Sequence, residues 1–325
     1  MRSARHELAY NSVYIVRKLR EIEYFNRRAM RVRREELEKA VEVRLGDLRP
    51  SSRQLEGLIL DCACGYGADM LALSRLSGRR ELVGIDLSVE GLKRAGEELE
   101  KRSALAYLIQ ADACWLPFRP GAFDAAIISH MLHHHPLPLV KTIVAEVSRV
   151  LRPGGFLLVR EWCPLDEGAS LREEVSAFLH QLAHLKELLE ALGELGSRPE
   201  VREELHKHLE VFGFGSLFSS TLKTVLRACG LEILSFEMKH PRKRGLHELL
   251  KRAREHIEDL PISGVERAFL IAKLEEFEEK AKYIQADGRE AMAFIRAVKS
   301  VRPGGEGSAR GQRESASDAA RSRCC

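Results

Sequence analysis

No stretch of this chain approaches the 18 or so uncharged apolar residues of a membrane-spanning helix, so no segment is predicted to cross a bilayer. The opening, MRSARHELAY, lacks a long apolar run, which predicts no signal peptide and a cytoplasmic protein. Cysteine is sparse and irregular: there are 7, an odd number, and two of them are the terminal Cys324-Cys325. That pattern excludes a disulfide-stapled secreted scaffold. Cys62 and Cys64 form a C-x-C, but no second Cys/His pair follows at zinc spacing, so no metal site is predicted. Excess charge is missing too. The 52 Lys and Arg against 48 Asp and Glu leave a net +4, which demands no polyanionic partner. There is no internal repeat, no recognisable RNA-binding module and no aromatic-rich basic patch.

What remains is a globular chain with 45% hydrophobic residues and a clear alternation along its middle. Residues 1–56 read as a charged helical cap, with Val13, Ile15, Val16, Leu19 and Ile22 along one stripe. Short apolar runs follow: Leu58-Ile59-Leu60, Leu82 to Ile85, Tyr107-Leu108-Ile109, Ala125 to Ile128, and Phe156 to Val159. Helical segments separate them, notably Val89 to Arg102 behind a Ser88 N-cap and Leu139 to Leu151 before Arg152-Pro153-Gly154-Gly155. Apolar strands alternating with helices predict a doubly wound, mostly parallel α/β sheet with helices on both faces and ligands at the carboxyl ends of the strands. Helical inserts are predicted at about 164–220 and 240–288, the first as a helical pair. Between them, Thr221 to Ala228 reads as a helix and Leu231 to Met238 as a strand. Residues 57–301 would form one domain, and 302–325, rich in Gly, Ser, Arg and Ala, a disordered tail.

The stretch Leu58-Ile59-Leu60-Asp61-Cys62-Ala63-Cys64-Gly65-Tyr66-Gly67 concentrates the chemistry. A strand ends in a carboxylate, and a loop of small residues lets a ligand approach the backbone at the start of a helix. A dinucleotide site would need G-x-G-x-x-G, but Met70 stands where the third glycine belongs. Asp61 would also repel a pyrophosphate and welcome a cation. Asp86 closes the second strand 19 residues beyond Gly67, where a doubly wound fold holds a ribose diol, while Ser88 is available to cap the helix. Asp112 follows the third strand and can accept hydrogen bonds from an exocyclic amine. Three acids thus converge on one crevice.

The segments LILDCACGYG, LVGIDLS, IQADACWLPF, FDAAIISHMLHH and VLRPGG, in this order, resemble the class I methyltransferases, especially those similar to the ubiquinone/menaquinone-biosynthesis enzymes. The resemblance covers residues 57–162 closely and 221–238 loosely. It implies S-adenosylmethionine as cofactor and a seven-stranded sheet whose seventh, antiparallel strand is Ala291 to Val298. Asp61, Gly65 and Gly67, with Ala63 in place of the family's usual glycine, would cradle the methionine part. Asp86 with Leu87 would hold the ribose, and Asp112 with Ala113 the adenine. Ser129 or His130 would line the methyl-transfer side. Adjacent His133, His134 and His135 point in different directions, which disfavours a shared metal; they read as a structural helix start or as the source of a general base, with His134 the candidate.

These residues predict a methyltransferase acting on a small molecule, with the helical inserts as a lid. The alternatives are an RNA (tRNA) methyltransferase, suggested by basic runs at Arg17–Arg34 and Lys239–Arg254, and a non-catalytic cofactor-binding regulator.

Overall fold

The structure, a computed structural model, describes Ile22, Asn26, residues 29–135, 137–165, 167–192, 198–199, 201–202, 217–243, 245–284 and 289–301. Seven strands form one sheet: β1 Gly57–Cys62, β2 Arg80–Asp86, β3 Ala106–Gln110, β4 Phe123–Ser129, β5 Leu151–Pro164, β6 Leu231–Lys243 and β7 Arg289–Lys299. Their order is β3-β2-β1-β4-β5-β7-β6. β1 to β5 pair in parallel, while β7 runs antiparallel to both of its neighbours. The expected fold and its antiparallel seventh strand are therefore both present.

The helices are α1 Arg34–Leu48, α2 Ala68–Leu73, α3 Val89–Glu100, α4 Leu137–Val150, α5 Glu167–Leu192, α6 Ser219–Ala228, α7 Leu246–Glu258 and α8 Gly264–Tyr283. None of them is long and apolar enough to cross a membrane. Ser88 caps α3 as predicted, its hydroxyl accepting the Gly91 N–H at 2.9 Å. Successive strand residues face opposite sides of the sheet. Ile59, Ala125, Ile127, Phe156 and Leu158 therefore join a core with α1, α2 and α3. Leu60, Ala126, Ile128, Leu157 and Val159 join another with α4 and α6. The same alternation decides where the charged strand ends point, and that shapes the site.

Two details depart from the sequence reading. The fifth strand begins at Leu151, so Arg152-Pro153-Gly154-Gly155, read as a helix stop, is absorbed into the strand beside a register shift against Phe123 and Ala125. Of the helical pair expected in the first insert, α5 is one long helix; the second partner falls largely outside the described residues. The two inserts do not stand apart. Leu171, Val175, Phe178 and Leu182 of α5 share a third core with Leu250 and Ile257 of α7 and Leu270, Leu274 and Phe277 of α8. The stripe at Val13 to Leu19 and the 302–325 tail lie outside the described residues.

Candidate functional site

The strand order reverses between β1 and β4, the point in an open α/β sheet where a ligand crevice forms beyond the carboxyl ends. The loop after β1 is held open by its own backbone. Gly65 and Gly67 adopt φ of 53° and 81°, and a Cβ on Gly67 would lie 2.8 Å from the Ala95 Cβ of α3. A Cβ on Gly65 would meet nothing within 4 Å, so its outer face is the crevice itself. Ala63, where the resembling family has glycine, also takes a left-handed φ of 62°. Asp86 ties this loop to β2: one carboxylate oxygen accepts the Gly65 N–H at 2.7 Å and the other the Ser88 N–H at 2.8 Å. Each oxygen keeps a second lone pair for a ligand hydroxyl. Burial pushes the Asp86 carboxyl up, against the lowering by these N–H groups.

Behind the loop lies a buried ionic cluster. Asp61, Ser129 and Arg160 occupy corresponding ends of β1, β4 and β5 on the face covered by α1 and α2. Arg160 is 0% exposed and pairs with Asp69 of α2, with Asp47 of α1 at 3.4 Å and with the Ser129 hydroxyl at 3.0 Å. Arg44 of α1 approaches Asp69 at 3.4 Å. The two guanidinium groups hold Asp69 below the usual carboxylate range despite its burial. Asp61 fares otherwise: burial and then the Asp69 charge push it well above that range, and its buried Oδ2 has no hydrogen-bond partner among the described residues. A buried carboxylate oxygen without a donor fits a cationic group at the crevice. His130 takes φ of 54°, and burial together with Arg44 lowers its ring to about 3, so the ring is neutral.

The opposite face carries a second pair. Glu161, one residue beyond Arg160, is fully buried among the residues facing α4 and α6. Its Oε2 accepts the N–H groups of Met131 at 3.1 Å and Leu132 at 2.8 Å, while Oε1 accepts that of Trp162 at 2.9 Å and faces His133 Nδ1. Burial opposes both charges, but the pair wins: Glu161 lies below and the His133 ring above their ordinary values.

Of the predicted residues, Asp61, Ala63, Gly65, Gly67, Asp86, Ser129 and His130 meet at the tips of β1, β2 and β4. Asp112 and Ala113 lie just beyond β3. Asp112 caps its own turn by accepting the Cys114 N–H at 2.9 Å, and the Leu87 carbonyl accepts from Gln110 at 3.0 Å. Cys62 and Cys64 are buried, and burial with the Asp61 and Asp86 charges pushes both thiols up, so they act as small apolar residues. His134 lies in the 3-10 turn Leu132–His134, but its side chain falls outside the described residues. Arg44, Asp69, Arg160 and the His133–Glu161 pair were missed. The signal was the charged Arg160-Glu161 step directly after the apolar run Phe156–Val159 of β5.

Residues 59–155 match the family model described as a methyltransferase domain. A phthiotriol/phenolphthiotriol dimycocerosates methyltransferase from Mycobacterium tuberculosis is 30% identical over 158 residues, 47% of this chain and 56% of that protein. A demethylmenaquinone methyltransferase from Thermus thermophilus is 37% identical over 111 residues, 34% of this chain and 50% of that protein. The chain spans little more than half the length of the curated relatives it matches. A candidate methyltransferase from Bacillus halodurans shares the fold at TM-score 0.51 and 18% identity, covering 79% of this chain and 99% of that one. These matches liken residues 59–155 of this chain to methyltransferase domains, and the sheet shares the fold of the Bacillus halodurans structure.

Proposed function

We propose that the protein transfers the methyl group of S-adenosylmethionine to a small molecule. The observation that carries the reading is the orphaned, buried Asp61 Oδ2 beside the left-handed Gly65–Gly67 loop and Asp86, at the carboxyl ends of β1 and β2 next to the β1/β4 reversal. Asp61 would take the ligand's ammonium, and the backbone of Ala63, Gly65 and Gly67 would pass close to its methionine chain. Asp86 beside Leu87 would accept the ribose hydroxyls, with Asp112 and Ala113 flanking the adenine. Ser129 and His130 would line the methyl side. The bound cofactor supplies a methyl already activated on a sulfonium, so the protein's part is alignment and exclusion of water. Helices α5, α7 and α8, with their own core, suit a lid over that reaction. The acceptors named for the relatives, a quinone precursor and a lipid, support a small-molecule substrate.

Calorimetry tests this directly. S-adenosylhomocysteine is expected to bind and NAD not to. Asp86→Ala is expected to weaken binding by about 1–3 kcal/mol by leaving polar groups unpaired. NAD binding without a response to the adenosyl ligand would overturn the reading.

A further inference from the structure

We propose that Arg44 of α1 holds the carboxylate of the cofactor's amino-acid end while Asp61 holds its ammonium, so that this chain selects the zwitterion as a whole. This rests on the methyl-transfer reading and deepens it. It also gives a binding role to the helical cap, which lies outside the matched residues 59–155.

Two buried polar atoms of opposite charge stand without a partner beside the crevice. One is Asp61 Oδ2. The other is Arg44 Nε, which donates to no acceptor among the described residues although Asp69 Oδ2 lies 3.4 Å away. Burying a charged donor without an acceptor is unfavourable, and a ligand that supplies the acceptor removes that penalty.

The pattern of α1 sets where Arg44 stands. Leu37, Val41, Leu45 and Leu48 recur at helical spacing and bury one stripe in the core shared with α2. Arg44 lies three residues after Val41 and four before Leu48, beside that stripe, and its guanidinium meets Asp69 in the first turn of α2. That turn directly follows the Gly65–Gly67 loop. The charge of Arg44 is felt on both flanks of the crevice. Burial and then Asp69 raise the Asp61 carboxyl at the tip of β1, and Arg44 opposes them; burial and then Arg44 lower the His130 ring just beyond β4. Arg44 is thus close to both strand tips at the reversal.

A ligand carboxylate in this place would be repelled by Asp47, Asp61 and Asp69 unless a cation met it. Arg160 is committed elsewhere: it is fully buried and pairs with Asp69, Asp47 and the Ser129 hydroxyl. The Arg44 side chain keeps 17% exposure beside its one ion pair. A guanidinium carries five N–H donors in a fixed fork that matches a carboxylate, so Arg44 can face Asp69 and a ligand together. Asp61 and Arg44 then form the two poles of a clamp, each completed by the group of opposite charge on the same ligand.

The full chain is titrated calorimetrically with S-adenosylhomocysteine and with its decarboxylated analogue, which keeps the adenosine, the sulfur and the ammonium. Binding of neither sinks the methyl-transfer reading itself. The wild type is expected to prefer S-adenosylhomocysteine about 10–100-fold, the worth of a charge-assisted contact at a buried site. Arg44→Gln should remove most of that preference by weakening S-adenosylhomocysteine. The analogue should bind the variant as well or better, because its ammonium no longer faces that cation. Arg44→Lys keeps the charge beside Asp69 but loses the fork, so it should preserve the Tm of the unliganded chain and lose part of the preference. In ¹⁵N NMR the Arg44 Nε–H should shift and gain exchange protection with S-adenosylhomocysteine but not with the analogue. If Arg44→Gln does not fold, the wild-type preference and the NMR signal decide. An arginine that only braces α1 would weaken both ligands alike when replaced. That result, or a wild type without preference for S-adenosylhomocysteine, would overturn the proposal.

Discussion

At the scale of single residues, Ala63 carries a cost that its neighbours avoid. Its φ of 62° brings an L side chain against the following carbonyl, about 1–2 kcal/mol. Glycine removes that clash and restores part of it as chain entropy, about 0.4–1 kcal/mol. Ala63→Gly is therefore expected to stabilise the protein by about 0.5–1 kcal/mol in urea unfolding; a loss would show that the loop tolerates the alanine without strain. Asp61 gives a pH signature. Its folded carboxyl is raised above the ordinary value near 3.9, so ionising it penalises the folded chain as pH climbs through the raised value. A ligand ammonium on Oδ2 favours the ionised form and offsets that penalty. The rise in Tm given by S-adenosylhomocysteine should thus grow with pH from the ordinary carboxylate range upward, and Asp61→Asn should flatten it. A pH-independent rise in the wild type would mean that the ammonium binds elsewhere. Asp61, Gly65, Gly67 and Asp86 were legible in the sequence because one short loop and two strand ends hold them. Arg160 and Asp69 were not, since their pairing spans 91 residues and appears only once α2 and β5 share a face.

At the scale of elements, the parallel strands and α3 with its Ser88 cap were legible because hydrophobic period and local capping are chain-local signals. The lid was only half legible. An apolar stripe on α5 says that a partner exists, but not that the partners are α7 and α8, across some 60 residues and a strand of the main sheet. That shared core makes a sharp expectation. Leu274 is 0% exposed between α5 and α7. Leu274→Ala should cost about 2–5 kcal/mol locally through the cavity it leaves. Hydrogen exchange should then lose protection in α5, α7 and α8 while β1 and β4 keep theirs, because only the lid core loses packing. Equal loss throughout would show that lid and sheet unfold as one unit.

At the scale of the whole molecule, the question is whether the basic runs make this an RNA enzyme. A polyanion needs a positive surface that reaches the reacting end of the crevice, and the guanidinium groups there, Arg44 and Arg160, are paired with Asp69 and Asp47. Glu161 pairs with His133, and the charges of Glu173 and Glu290 add to it in favouring the charged ring. At the start of α1 Arg33 pairs with Glu36, and within it Arg44 lies against Asp69. On α7, Arg254 pairs with Glu278 of α8. Binding to tRNA should then be weak, indifferent to the polyanion offered, and shallow in its dependence on salt, since few phosphates are neutralised and few counterions released. Filter binding across a salt series, paired with transfer of labelled methyl groups to total RNA, measures both halves. A steep salt slope with label entering one class of RNA would show that a basic surface does reach the site, and the acceptor would then be a nucleic acid rather than a small molecule.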